Sequence, residues 1–154
     1  MGIPDYILTI DQGTTGTRAG LVDKCGQLLC STYQEITPRY PRPGWVENDP
    51  NEIMDSVYST VEELFSEFEI TSENIVSIGL TNQRETTLLW DKTNGAPAYN
   101  AISWQCRRST DICESLIERE YTDFVRKVTG LTIDPYFSAS KIQWVLENVP
   151  GARS

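Results

Sequence analysis

The stretch DQGTTGTRAG, residues 11–20, follows directly on the apolar run YILTI. Asp11 closes that run, and Gly13 permits a sharp turn. Thr14, Thr15 and Thr17 then set hydroxyls beside backbone N–H groups, and Arg18 adds a cation with fork geometry. Such a turn can form a nest for phosphate oxygens. The Asp11 carboxylate can hold Mg2+ directly or through water, because Mg2+ takes few protein oxygens and keeps several waters. The same residues also suit a polar β-hairpin, in which Gly and Thr are ordinary.

A second stretch, GLTNQRETT, places Asn82, Gln83, Arg84 and Glu85 at the end of an apolar segment. Arg84 only donates hydrogen bonds and Glu85 only accepts them. Together they suit a polyol, whose hydroxyls do both. The alternative is a surface turn with an adjacent ion pair, worth little energetically. Neighbours on a strand also face opposite sides, so joint action requires the backbone to bend there. In ISWQCRR, Trp104 offers a flat face for the C–H side of a sugar or polyol, or serves simply as a packed tryptophan. In TIDPYF, Pro135 fixes a bend beside Asp134 and Tyr136. The Tyr136 hydroxyl can meet a ligand hydroxyl or pack under the turn.

Bulk composition narrows the chemistry. The chain has 154 residues with 39% hydrophobic and 23% charged side chains, as in a globular protein with a core of its own. A net charge of -9 points away from nucleic acid and anionic membrane, which attract an excess of Lys and Arg. There is no histidine, so acid–base work falls to Asp, Glu, Lys, Tyr or Cys, and His-bearing zinc sites are excluded. Cys25, Cys30, Cys106 and Cys113 form no CxxC pair and read as reduced thiols. With no signal peptide and no apolar run of membrane length, a cytoplasmic protein is expected.

The elements that must position these residues follow from pattern. YILTID, TRAGLVD and LLCSTYQEI read as strands joined by tight turns, hence an antiparallel meander. TPRYPRPG is a loop. Asp49 as N-cap, Pro50 at the first position and Glu52 in a capping box open a helix. Its expected apolar face is Ile53, Met54, Val57, Tyr58, Val61, Leu64, Phe65 and Phe68, with Asp55, Glu62, Glu63 and Glu67 in solvent. IVSIGL, nearly all apolar, reads as a strand buried on both faces. TTLLWD and YNAISW read as strands around a KTNG turn. Three helices are expected after them. The first carries Ile112, Cys113, Leu116 and Ile117, the second ends at Gly130, and the third is capped by Ser138 and carries Ile142, Val145 and Leu146. This order predicts a mixed α/β domain. Ending in PGARS directly after a helix, the chain reads as a piece of something longer.

DQGTTGTRAGLVD, PGWVENDP, IGLTNQRETTLLWD, NAISWQCRR and TGLTIDPYFSASKIQWVLENVPGAR together resemble, in order, the N-terminal part of the FGGY family of carbohydrate kinases. NQRETT, WQCRR and IDPYF in succession point to its glycerol-specific branch. The resemblance implies a ribonuclease-H-like, actin-like ATPase lobe with a mixed sheet and flanking helices, residues 1–154 being the N-terminal lobe. It implies transfer of the ATP γ-phosphate to a terminal hydroxyl of glycerol with Mg2+, leaving ADP. By motif position, Thr14, Thr15, Gly16 and Arg18 would meet the phosphates, with Asp11 near the metal. Gly16 stands where relatives often have serine, so only its backbone can contribute. Arg84, Glu85, Trp104 and Tyr136 would line the glycerol pocket. The family's catalytic base aspartate and most of its adenosine site lie beyond this chain, so the chain alone is expected to have little or no kinase activity. Exposed apolar surface is expected to make it a homo-oligomer. Three other readings stay open: a kinase for another polyol or sugar, a non-catalytic glycerol-binding lobe, and a structural actin-like module.

Overall fold

The computed structural model describes residues 5–153. In chain order the elements are β1 (Tyr6–Gln12), β2 (Gly16–Val22), β3 (Leu28–Glu35), β4 (Glu47–Asn48), α1 (Pro50–Glu67), a 3-10 turn (Ser72–Asn74), β5 (Ile75–Asn82), β6 (Ala101–Ile102), α2 (Thr110–Glu118), α3 (Thr122–Thr129) and α4 (Ser138–Asn148). Contacts divide the described residues into two compact units, residues 5–37 with 51–83, and residues 38–50 with 84–153.

The first unit is built on a four-stranded sheet in the order β3-β2-β1-β5. The expected meander is present: β1 pairs antiparallel with β2, and β2 with β3. The β2–β3 turn closes because the Asp23 carboxylate accepts the N–H groups of Cys25 and Gln27 at 2.8 and 2.9 Å, and Gly26 takes φ 81°. The α1 crossover then returns the chain so that β5 lies parallel to β1. Leu8, Ala19, Leu21 and Leu64 form the core between sheet and helix.

Two expectations change here. On α1 the fully buried line is Ser56, Thr60 and Leu64, whereas Met54, Tyr58 and Phe68 are exposed. Small hydroxyl residues fit where helix and sheet meet, and their polar atoms are satisfied. Thr17 and Ser56 hydroxyls lie 2.6 Å apart, and the Thr32 hydroxyl donates to the Thr60 carbonyl at 2.7 Å. The acidic residues Asp55, Glu62, Glu63 and Glu67 do face solvent. On β5, the expected burial on both faces is contradicted, since Val76, Ile78 and Leu80 are 61%, 62% and 71% exposed. Among the described residues β5 is the sheet's outer strand, paired only with β1. An apolar run records that a strand can be covered, not that a neighbour within the same chain covers it.

In the second unit β4 pairs antiparallel with β6. TTLLWD forms no continuous strand, only bridges from Thr87 to Ile102 and from Trp90 to Pro97. The intervening turn is held by Asp91, which accepts the Thr93 N–H at 2.7 Å, and by Gly95 at φ 74°. The core gathers Ile102, Cys106 and Val145, with Trp45, Leu89, Tyr99 and Trp144 packed against it. α3 ends at Gly130 with φ 76°, as its glycine predicted. Val145 of α4 is buried, while Ile117 of α2 and Ile142 of α4 remain exposed. All four cysteines are free thiols. Among the described residues no helix is long and apolar enough to cross a membrane.

Candidate functional site

The first unit carries the candidate phosphate residues. β1 and β2 are joined by a tight turn in which the Gly13 N–H donates to the Gly16 carbonyl at 2.9 Å. Thr14 is half-buried and Thr15 exposed at its tip. Gly16 has no room for a side chain, because a Cβ there would collide with the Gln34 carbonyl and the Tyr33 ring. The Tyr33 hydroxyl in turn donates to the Thr15 carbonyl at 3.3 Å, so β3 buttresses the turn. Glycine at this position is therefore set by packing under Tyr33, as well as by whatever the turn binds.

Asp11 is exposed and sits opposite Arg18 on one side and Thr81 on the other, which places the three on the same sheet face. Arg18 lies over the Tyr33 ring, 5.3 Å from its centroid, and donates to Ser31 at 3.2 Å. Its guanidinium thus rests on β3, on the ring whose hydroxyl reaches the turn at Thr15. Among the described residues no three His, Cys, Asp or Glu side chains cluster as a metal site. Asp11 would be a single protein ligand, which suits Mg2+ bound mainly through phosphate oxygens and water.

The second unit brings the candidate acceptor residues together. Just past β5 the chain turns at Arg84 and Glu85, and Glu85 adopts the left-handed φ of 66°. That bend removes the objection that neighbours on a strand must point apart. It also carries an energetic cost for a residue other than Gly. The cost is offset locally, because the Glu85 carboxylate accepts both the N–H and the hydroxyl of Ser138, at 2.9 and 2.8 Å. Ser138 is thus the first residue of α4 and not its cap, a place taken by Phe137. A carboxylate on a free N–H at a helix start is favoured by the helix dipole.

Arg84 is exposed and makes no hydrogen bond or ion pair among the described residues, so its donors stay open to a ligand. Trp104, half-buried, meets the exposed Tyr136 edge-on with ring centroids 5.8 Å apart. The Trp104 N–H donates to the Thr86 hydroxyl at 3.3 Å, which ties that segment to the Arg84–Glu85 turn. Asp134 accepts the Tyr136 N–H at 2.7 Å and pairs with Arg107 at 3.3 Å. The turn around residue 85, Trp104 and the Asp134–Phe137 turn therefore converge at the start of α4.

Sequence reasoning missed a buried cation at this point. Lys141, fully buried, donates to the carbonyls of Pro135, Tyr136 and Phe137 at 2.9, 2.5 and 2.9 Å. Burial pulls its pKa down to about 8, opposed by the Glu85 carboxylate. The available signal was its spacing. Lys141 stands four residues before the core residue Val145 on the same helix, hence on the inward face.

Residues 6–154 match the N-terminal domain of the FGGY family of carbohydrate kinases. Glycerol kinase of Clostridium perfringens is 52% identical over 149 residues, and that of Bacillus subtilis is 52% identical over 148. Each alignment covers 96% of this chain, which spans about 30% of the length of either relative. The crystal structure of Plasmodium falciparum glycerol kinase with ADP superposes with a TM-score of 0.89 at 33% identity, over 97% of this chain and 30% of that one. A ligand-bound xylulose kinase from Lactobacillus acidophilus, 23% identical over 94% of this chain and 29% of that one, has a TM-score of 0.84 and shares the fold. The chain belongs to the FGGY family of carbohydrate kinases and carries its N-terminal domain, in the actin-like ATPase fold.

Proposed function

We propose that this chain is the acceptor-binding and phosphate-cradling part of a glycerol kinase, an enzyme that transfers the γ-phosphate of ATP to a terminal hydroxyl of glycerol. The observation that carries this reading is the convergence of Glu85, Trp104 and Tyr136 at the start of α4, with Arg84 beside Glu85 in the chain. Arg84 offers uncommitted donors. Glu85 presents an acceptor already oriented by Ser138. Trp104 and Tyr136 supply an aromatic wall for the carbon chain. The half-identity to glycerol kinases supports glycerol over other polyols.

Phosphoryl transfer depends on positioning and on electrostatic stabilisation of the moving group. In this reading Thr14, Thr15 and the Gly16 backbone meet the nucleotide phosphates, and Arg18 adds positive charge beside them. Mg2+ would be held near Asp11 and would neutralise phosphate charge. Arg84 and Glu85 fix the acceptor hydroxyls, while the aromatic pair excludes water from one side. We place the protein in the cytoplasm, in keeping with its four free thiols.

Calorimetric titration with a polyol panel tests this reading. Glycerol is expected to bind at least about tenfold more tightly than a pentitol or a pentulose, because Trp104 and Tyr136 close one side of the site. Equal or tighter binding of the five-carbon compounds would assign the chain to another branch of the family. We also propose self-association through the exposed Val76, Ile78 and Leu80 of β5. Sedimentation velocity is expected to show a concentration-dependent dimer or larger species, and a monodisperse monomer would exclude it.

A further inference from the structure

We propose that Lys141 is a positioning residue of this site: its ammonium ties the Pro135, Tyr136 and Phe137 carbonyls into one fixed turn and thereby sets the Tyr136 ring against Trp104. The effect on ligand binding rests on the acceptor-site reading above; the effect on Trp104 and Tyr136 does not.

A lysine as fully buried as Lys141 is uncommon, because losing hydration of the ammonium is costly without partners. Here each of its three N–H groups has a carbonyl, and the three carbonyls are consecutive in the chain. Consecutive carbonyls cannot converge on one point in an extended strand, so the ammonium selects a curled conformation. That segment includes the residue whose ring stands 5.8 Å from Trp104. Its other supports are separate contacts, among them the Phe137 N–H donating to the Asp134 carbonyl at 3.1 Å and the Ser140 hydroxyl donating to the Phe137 carbonyl at 3.4 Å. Asp134 holds the Tyr136 N–H, and Glu85 holds Ser138. Lys141 is the single group that gathers the carbonyls of all three residues.

The number of donors matters. A neutral amine has two N–H groups for three carbonyls, so deprotonation releases one of the three from the ammonium. The charges of Glu85 and Asp134 favour the charged form of the ammonium, and Cys106 and Cys113 act in the same direction. Arg107 pairs with Asp134, and burial pushes the Cys113 thiol up. Loosening of the turn is therefore expected as pH rises through about 8.

The test uses 5-fluorotryptophan-labelled protein, with the Trp104 fluorine resonance assigned by its loss in Trp104→Phe. Lys141→Met keeps the length and fills the space but donates nothing. It is expected to shift or broaden the Trp104 resonance and to weaken glycerol binding by about tenfold to 100-fold. A side chain that merely fills volume would be replaced by Met without either change, and that result would overturn the proposal. If Lys141→Met does not fold, the labelled wild-type protein decides between pH about 6.5 and about 9.5. A Trp104 resonance that moves with a midpoint near 8, and a flat trace in Lys141→Arg, would support the clamp. An unchanging wild-type resonance would sink it. Absence of glycerol binding in the wild type, with the fluorine results as expected, would refute the acceptor reading and leave the clamp standing.

Discussion

Replacement of Glu47 by alanine is expected to cost about 3–5 kcal/mol of folding stability, read by urea denaturation at neutral pH. Glu47 and Arg108 are 3% and 0% exposed at the side chain and lie 2.6 Å apart. The carboxylate also accepts hydrogen bonds from the Tyr99 hydroxyl at 2.6 Å and Asn100 at 2.7 Å. The guanidinium is enclosed by aromatic faces, 4.0 Å from the Trp45 centroid and 4.7 Å from that of Trp144. Those faces attract the cation but do not replace its anion. Removing the carboxylate leaves a buried charge with no counter-charge, a far larger penalty than the loss of an exposed pair. A loss below about 1 kcal/mol would show that water or a neighbouring group takes over the carboxylate's role.

The same pair sets an acid limit. Burial pushes the Glu47 carboxyl up, but hydrogen bonds from Asn100, Tyr99 and Arg108 outweigh it and hold the group below the ordinary carboxylate range. The folded state therefore binds the proton more weakly than the unfolded chain does. The contribution is complete above the unfolded value of about 4.3 and is lost as pH falls through the lower folded value. Glu47→Gln is expected to flatten that part of the acid-unfolding profile while retaining an acceptor for Asn100.

Local features of this fold are legible in the sequence because their causes are local. Gly130 after an amphipathic stretch ends α3, and short apolar runs between tight turns form the β1–β3 meander. What the sequence conceals are partnerships across long separations. Nothing near Glu47 announces Arg108, 61 residues away, and nothing near Glu85 announces Ser138, 53 residues on. Ser56 and Thr60 interrupt the apolar pattern of α1, yet they are as fully buried as Leu64 after folding, because hydroxyls from the sheet meet them. The opposite error occurs at β5, where apolar composition suggested cover that this chain's described residues do not supply. For the site, residue types identified Arg84, Glu85, Trp104 and Tyr136 as candidates. The left-handed bend at Glu85 and the three carbonyls gathered on the Lys141 ammonium become visible only in three dimensions.

Replacement of Arg84 by alanine is expected to abolish measurable glycerol binding, a loss of at least about 100-fold, with stability changed by less than about 0.5 kcal/mol. The two halves of this expectation have one structural origin. Arg84 is exposed and engages no partner among the described residues, so no intramolecular hydrogen bond is lost with it. Its neighbour Glu85 is differently placed: its carboxylate organises the start of α4, and mutating it would confound binding with folding. Arg84 therefore separates recognition from architecture more cleanly than any other residue of the site. Two charge-assisted hydrogen bonds to a polyol are worth about 3 kcal/mol or more, which is the origin of the 100-fold expectation. Calorimetry with glycerol and urea denaturation on the same preparation check both halves. Unchanged affinity would mean that Arg84 points away from the acceptor and that other residues hold the glycerol. Lost affinity with unchanged stability would show that Arg84 serves recognition alone, whereas the left-handed bend at Glu85 that follows it also holds the start of α4.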